Sequence, residues 1–279
     1  MKVIVIIPAA GLGTRMTSSS ATAQGKVPSK QFLSIGDAPI LIHTLRKFAA
    51  CRQVDEIYVA LRPQEAETFL ADLPDYGLDP KRVRIAEGGE HRQQSVANAL
   101  KAVQADADDI VLVHDAVRPF IEPETIVGVI DAVRNYGAAI AGIPAVDTIK
   151  QVERTADGAL IRATIPREVL VQAQTPQGFR YGVLKQAFDE AEREGFLGTD
   201  EASLLERAGK DVHENASEVE DEGVRQDSYF QTQQGDVDDV ESPDGTPDAI
   251  RRLAQLVLEI GNHEQEQSSS NAGNDDDSS

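Results

Sequence analysis

Four groups of residues in this chain have types and spacings suited to handling phosphates and hydroxyls. The first is Pro8-Ala9-Ala10-Gly11-Leu12-Gly13-Thr14-Arg15-Met16, which follows an apolar run directly. A glycine-rich turn after a strand places backbone N–H groups where an anion can sit. Gly11 and Gly13 allow close backbone approach, and Arg15 adds a fixed cation. A second cation, Lys30, lies in Pro28-Ser29-Lys30-Gln31-Phe32, so the pair suits a triphosphate. The turn is not a Walker A loop, because no Gly-Lys-Ser/Thr follows. It is not the dinucleotide fingerprint either, because Met16 stands where the third glycine would be. The plain alternative is a glycine turn with two solvent-facing cations.

The second group is Val111-Leu112-Val113-His114-Asp115-Ala116-Val117-Arg118-Pro119. Asp115 stands just past a buried strand, the edge at which open α/β sheets bind ligands. Its carboxylate suits Mg²⁺ or a sugar hydroxyl, and Arg118 suits an anion nearby. His114 reads as a histidine satisfied by backbone hydrogen bonds rather than as a base. The third group is Gly88-Gly89-Glu90-His91-Arg92-Gln93-Gln94-Ser95, a turn opening a helix. Its backbone and Ser95 suit the edge of a base, though an ordinary β–α connection has the same look. The fourth comprises Asp147-Thr148-Ile149-Lys150, Arg167 and Thr175-Pro176-Gln177. Arg167 and two threonines suit a phosphate and hydroxyls, or simply a soluble hairpin.

These groups need elements to position them. Short apolar runs alternate with amphipathic stretches, the pattern of a parallel sheet covered by helices. Strands are expected at residues 3–7, 56–61, 83–86, 109–113 and 138–143. Helices are expected at 40–49, from about 64, at 90–103, and from Pro123 to near Gly137. Two more helices follow Tyr181, the second opening around Thr199-Asp200-Glu201. Alternating segments around Asp157-Gly158 predict an antiparallel arm over about 145–175. An oligomer contact and a plain surface hairpin fit that arm equally. Residues 211–244 are acidic, Gln-rich and without periodicity, and read as a loop of uncertain order. Thr246-Pro247-Asp248 caps a last helix to about residue 260, and 261–279 reads as a disordered acidic tail. The expected organisation is one domain over 1–260 followed by that tail.

The 279 residues are 41% apolar, enough for a packed core, and carry a net charge of −20. That charge is concentrated: from Asp211 onward there are 19 acidic residues against 3 arginines. The first 210 residues hold 28 of the 47 acidic and 24 of the 27 basic side chains. A nearly neutral core gives no nucleic-acid-steering surface, and none is expected. The single cysteine, Cys51, forms no internal disulfide, fits a reducing, cytoplasmic compartment, and sits near a helix end. The apolar run 3–7 is too short for a membrane span and stops at Pro8.

Taken in order, the four groups closely resemble the 2-C-methyl-D-erythritol 4-phosphate cytidylyltransferases of the non-mevalonate isoprenoid pathway. The resemblance runs over about residues 2–210, and His114-Asp115-Ala116-Val117-Arg118-Pro119 is its most specific piece. It implies an α/β, Rossmann-like nucleotidyltransferase core with a mostly parallel sheet, a projecting β-arm and a homodimer formed through that arm. It implies transfer of CMP from CTP, with Mg²⁺, to methylerythritol 4-phosphate. Ala9, Ala10, Gly11 and Gly13 would approach ribose and phosphates; Gly89, Glu90, Ser95 and Ala116 would complete the CTP site. Arg15, Lys30 and Arg167 would be catalytic. Asp115 and Arg118 would bind the acceptor, with Asp115 also a metal candidate. Thr148, Arg167 and Thr175 would come from the partner's arm. Ribitol 5-phosphate cytidylyltransferases share much of this pattern, while Asp147-Thr148-Ile149-Lys150 and Gly89-Glu90-His91-Arg92 favour methylerythritol phosphate; a catalytically weakened nucleotide-binding homologue is the other alternative. One departure stands out: the family's late-strand lysine has no counterpart, since residues 211–244 contain no lysine and Arg225 is their one Arg.

Overall fold

The computed structural model describes residues 1–11, 29–156 and 158–216. Gly13, Arg15, the last expected helix and the tail lie outside the described residues.

Strand β1 (Val3–Pro8) leads to a 3-10 turn (Lys30–Phe32) and a small hairpin of β2 (Ser34–Ile35) and β3 (Ala38–Pro39). Then come α1 (Ile40–Ala50), β4 (Glu56–Leu61), α2 (Pro63–Asp72), β5 (Val83–Glu87), α3 (Arg92–Ala102) and β6 (Ile110–Val113). Next are α4 (Pro123–Tyr136), β7 (Ala138–Pro144), β8 (Ile149–Thr155) and β9 (Gly158–Ile165). The described chain ends with β10 (Val171–Arg180), α5 (Tyr181–Glu194), α6 (Glu201–Arg207) and β11 (His213–Ala216). Helix α4 starts on Pro123 and stops where Gly137 takes the left-handed conformation, φ 89°.

Among the described residues the main sheet has seven strands in the order β11-β7-β10-β6-β1-β4-β5, of which only β10 runs antiparallel to its neighbours. Side chains of β1 alternate between two apolar layers. Val3, Val5 and Ile7 pack with α1, α2 and α4, while Ile4 and Ile6 pack with α3, α5 and α6. A strand buried on both faces reads as a continuous apolar run, which is why 3–7 could be recognised.

Two regions depart from the sequence expectation. The arm expected over about 145–175 takes in the start of β10, yet β10 lies inside the core sheet between β6 and β7. Its register shifts between Ala173 and Gln177 where it pairs with β7. The acidic segment does not begin as a loop: His213–Ala216 adds a parallel edge strand to β7. The arm itself forms as expected, β8 pairing antiparallel with β9 as a separate two-stranded sheet.

Candidate functional site at the carboxyl edge of the sheet

Strands β6, β1, β4 and β5 are adjacent and parallel, so their carboxyl ends share one edge. The first loop leaves β1, the Gly88-Gly89 turn leaves β5, and His114-Asp115 leaves β6. Gly88 crosses the end of β4 and touches the first loop. A Cβ at Gly88 would stand 2.1 Å from the Ala10 Cβ, so only glycine fits there. Its N–H donates to the Leu61 carbonyl at 2.7 Å, and Ala9 N–H donates to Ala60 at 2.9 Å. Gln31, 4% exposed, donates its amide to the Ala9 carbonyl. That bond docks the turn carrying Lys30 against the first loop. Lys30 itself is half-buried.

The Gly-Gly turn is tied internally. Gly89 N–H donates to Ser95 Oγ at 3.0 Å, and Glu90 N–H donates to Gln94 Oε1 at 2.8 Å. Ser95 Oγ in turn donates to the His91 carbonyl at 3.1 Å. Ser95 is buried and shapes the turn. Ser95 Oγ and the N–H groups of Gly89 and Glu90 thus have partners within the turn. Ala116 is buried, its carbonyl accepting from the Thr44 hydroxyl at 2.9 Å.

Four charges alternate across the edge. Both Glu201 carboxylate oxygens accept from Arg92 Nη1, at 2.7 and 2.9 Å. Arg92 Nε donates to Asp115 Oδ1 at 3.0 Å, and Arg118 Nε donates to Asp115 Oδ2 at 3.0 Å. Arg118 Nη1 also donates to Gln174 Oε1. Burial works against the Asp115 carboxylate, but the guanidiniums of Arg92 and Arg118 outweigh it and hold its pKa below the ordinary value. Burial opposes the charge on Arg92 too, and Glu201 and Asp115 overcome it. Burial pushes the Glu201 carboxyl up, with Arg92 opposing.

His114 is wholly buried and is not a base at this site. Its Nε2 faces the Arg118 carbonyl at 3.1 Å, and its Nδ1 meets the Thr175 hydroxyl at 3.0 Å. Burial is the largest effect and lowers its pKa to about 4, so the ring is neutral at pH 7. One tautomer satisfies every contact: Nε2–H donates to Arg118, and Nδ1 accepts from Thr175. Thr175 Oγ1 then accepts from Asp115 N–H at 3.3 Å.

Thr175 therefore sits in the core beside its own chain's Asp115, which corrects its expected place on the arm. Thr148 and Arg167 do flank the arm. Thr148 is exposed, and Arg167 donates to the Val146 carbonyl at 2.9 Å. Each oxygen of Asp115, the metal candidate, accepts from a guanidinium. Among the described residues no group of three or more His, Cys, Asp or Glu is arranged around a metal. No helix among them is long and apolar enough to cross a membrane.

Two residues of the site gave no sign of their own part in it. Glu201 read only as part of a helix opening, and Gln177 only as a neighbour of Thr175. Gln177 is 1% exposed and joins Asp200 Oδ2 at 2.7 Å to Ala202 N–H at 3.0 Å.

The model of the 2-C-methyl-D-erythritol 4-phosphate cytidylyltransferase family matches residues 3–219. The chain belongs to this family. A cytidylyltransferase of that name from Acidobacterium capsulatum is 61% identical over 212 residues, covering 76% of this chain and 87% of the relative. One from Solibacter usitatus is 49% identical over 212 residues, covering 76% and 86%. The crystal structure of the Francisella tularensis cytidylyltransferase superposes with a TM-score of 0.62 at 30% identity, covering 84% of this chain and all of that one. The family match contains the whole described edge and ends inside the acidic segment.

Proposed function

We propose that this chain transfers CMP from CTP to 2-C-methyl-D-erythritol 4-phosphate, releasing pyrophosphate, in isoprenoid precursor synthesis. The observation that carries the reading is the convergence at one sheet edge of the first loop, the Gly88-Gly89 turn and the Arg92–Asp115–Arg118 chain. The first two suit a nucleotide and the third an anionic polyol.

The acceptor phosphate is already a nucleophile near neutral pH, so no side-chain base is required. One of its oxygens attacks the α-phosphorus of CTP in line. The new P–O bond forms as the α–β bridging P–O bond breaks, and pyrophosphate leaves with that electron pair. Charge neutralisation and positioning dominate such a step. We assign neutralisation to Arg15 and Lys30, with Lys30 steadied by the Gln31–Ala9 bond. Mg²⁺ enters with the triphosphate, as part of the substrate. Ala9, Ala10, Gly11 and Gly13 approach the ribose and phosphates. Gly89, Glu90 and Ser95 surround the cytosine, and Ala116 closes the nucleotide site.

On the acceptor side, Asp115 takes a polyol hydroxyl and Arg118 the phosphate. Thr175 orients Asp115 from within the same chain. Thr148 and Arg167 reach the acceptor of a second copy, which makes the working unit a homodimer through the arm. Val152, Leu160 and Ile161 are exposed apolar residues on that arm, at 44%, 49% and 61%. We take residues 1–260 as one domain, and its single cysteine fits the cytoplasm.

The test is pyrophosphate release from CTP with methylerythritol 4-phosphate or ribitol 5-phosphate as acceptor. Methylerythritol phosphate is expected to be the faster acceptor, and Arg15→Ala to lower kcat by about a hundredfold or more. Faster turnover of ribitol 5-phosphate reassigns the acceptor, and no release with either defeats the reading.

A further inference from the structure

Glu201 is a carboxylate with 1% exposure, a costly place for a charge. Tethering α6 to the sheet does not require that charge. The start of α6 is already held by Gln177, which bonds both Asp200 and Ala202. The loop before it is held by Gln93, whose amide donates to the Phe196 carbonyl at 3.0 Å and whose Oε1 accepts from Gly198 N–H at 2.9 Å. The helix also has its own capping box between Asp200 and Ser203. A buried ion pair is in any case weak evidence for stability alone. What Glu201 does alone is occupy Arg92 Nη1 with both oxygens. That leaves Arg92 Nε aimed at Asp115.

We propose that Glu201 is a positioning residue for the acceptor half of the site, fixing Arg92, which fixes Asp115 against Arg118. The inference rests on the acceptor reading above. The charges alternate in sign from Glu201 to Arg118, so each group orients the next. Arg92 lies on α3 and Asp115 just beyond β6, two separately anchored elements. Without the Glu201 charge, Arg92 has one carboxylate partner in place of two and is no longer held on the α6 side. Asp115 then loses its fixed orientation, and with it the geometry shared with Arg118.

The experiment uses the full chain with Glu201→Gln, varying CTP and methylerythritol 4-phosphate separately. The acceptor KM is expected to rise about tenfold, a change of about 1.4 kcal/mol, while kcat and the CTP KM stay within about twofold. Glu201→Asp keeps the charge and should recover part of the loss; Arg92→Lys should reproduce it. Both also serve if Glu201→Gln does not fold. A variant with less folded protein or lower kcat but an unmoved acceptor KM makes the pair a tether and overturns the proposal. Failure of the proposed activity is separated from failure of this inference by calorimetry with the acceptor. No pyrophosphate from the unmodified chain sinks the activity. About tenfold weaker acceptor binding by Glu201→Gln still supports the positioning role. Equal binding by both proteins, or binding by neither, overturns it.

Discussion

At the scale of single residues, His114 shows how burial settles a role that residue type leaves open. Its ring packs edge-on against Phe48, 4.8 Å between centroids, and both nitrogens have partners. The sequence reading of a hydrogen-bonded structural histidine agrees with this geometry, although one partner proves to be the Thr175 side chain. The folded pKa of about 4 lies below the ordinary 6.5. Its neutral form therefore favours folding fully above pH 6.5, and that contribution is lost as pH falls from 6.5 towards 4, where only the unfolded chain takes the proton. The displacement corresponds to roughly 3 kcal/mol at its limit. Chemical denaturation of the unmodified protein should show stability falling between pH 7 and pH 4.5. His114→Asn should be less stable at pH 7 and show a shallower fall over that interval. Parallel slopes would remove His114 as the cause. Thr175 was legible as a chemically useful residue but not as a core one, because its burial depends on where β10 enters the sheet.

At the scale of elements, glycines mark where two connections collide. A sequence shows Gly88-Gly89 as a turn, but not that the turn reaches over β4 to the loop after β1. The would-be Cβ at Gly88 lies 2.1 Å from Ala10 Cβ and 3.2 Å from the Leu61 carbonyl. Neither neighbour has a flexible end that could move aside. Gly88→Ala should cost about 1–3 kcal/mol in denaturant unfolding and displace the first loop, weakening CTP binding in calorimetry. Unchanged stability and CTP affinity would show that the two loops move independently. Strand β11 makes the opposite point. His213-Glu214-Asn215 has no apolar alternation, so nothing in its side chains announces a strand. Backbone pairing with β7 makes it one, along with close packing in which a Cβ at Gly128 of α4 would stand 2.6 Å from Asn215 Nδ2.

At the scale of the whole molecule, the arm forms a sheet of its own, exposed along nearly its whole length, while Asp115 and Arg118 stay at the edge of the core sheet. If the arm completes a second copy's site, two different defects should complement. Arg167→Glu and Arg118→Glu chains, each inactive alone, are unfolded together and refolded at equal ratio. About a quarter of normal turnover should return, since half of random dimers are mixed and each has one intact site. No recovery, with mixed dimers demonstrated by mass, would place Arg167 in its own chain's site. The sequence by itself determined the α/β class, the positions of nearly all the described helices and parallel strands, the arm, and the family. Each of these rests on local periodicity, turn chemistry or an ordered motif, all written along the chain. Only the tertiary structure decided that β10 enters the core antiparallel, that Thr175 sits beside its own chain's Asp115, and that Asp115 faces two arginines. It alone brought Glu201 to Arg92, because their contact spans 109 positions and depends on how α3 and α6 pack on one face of the sheet.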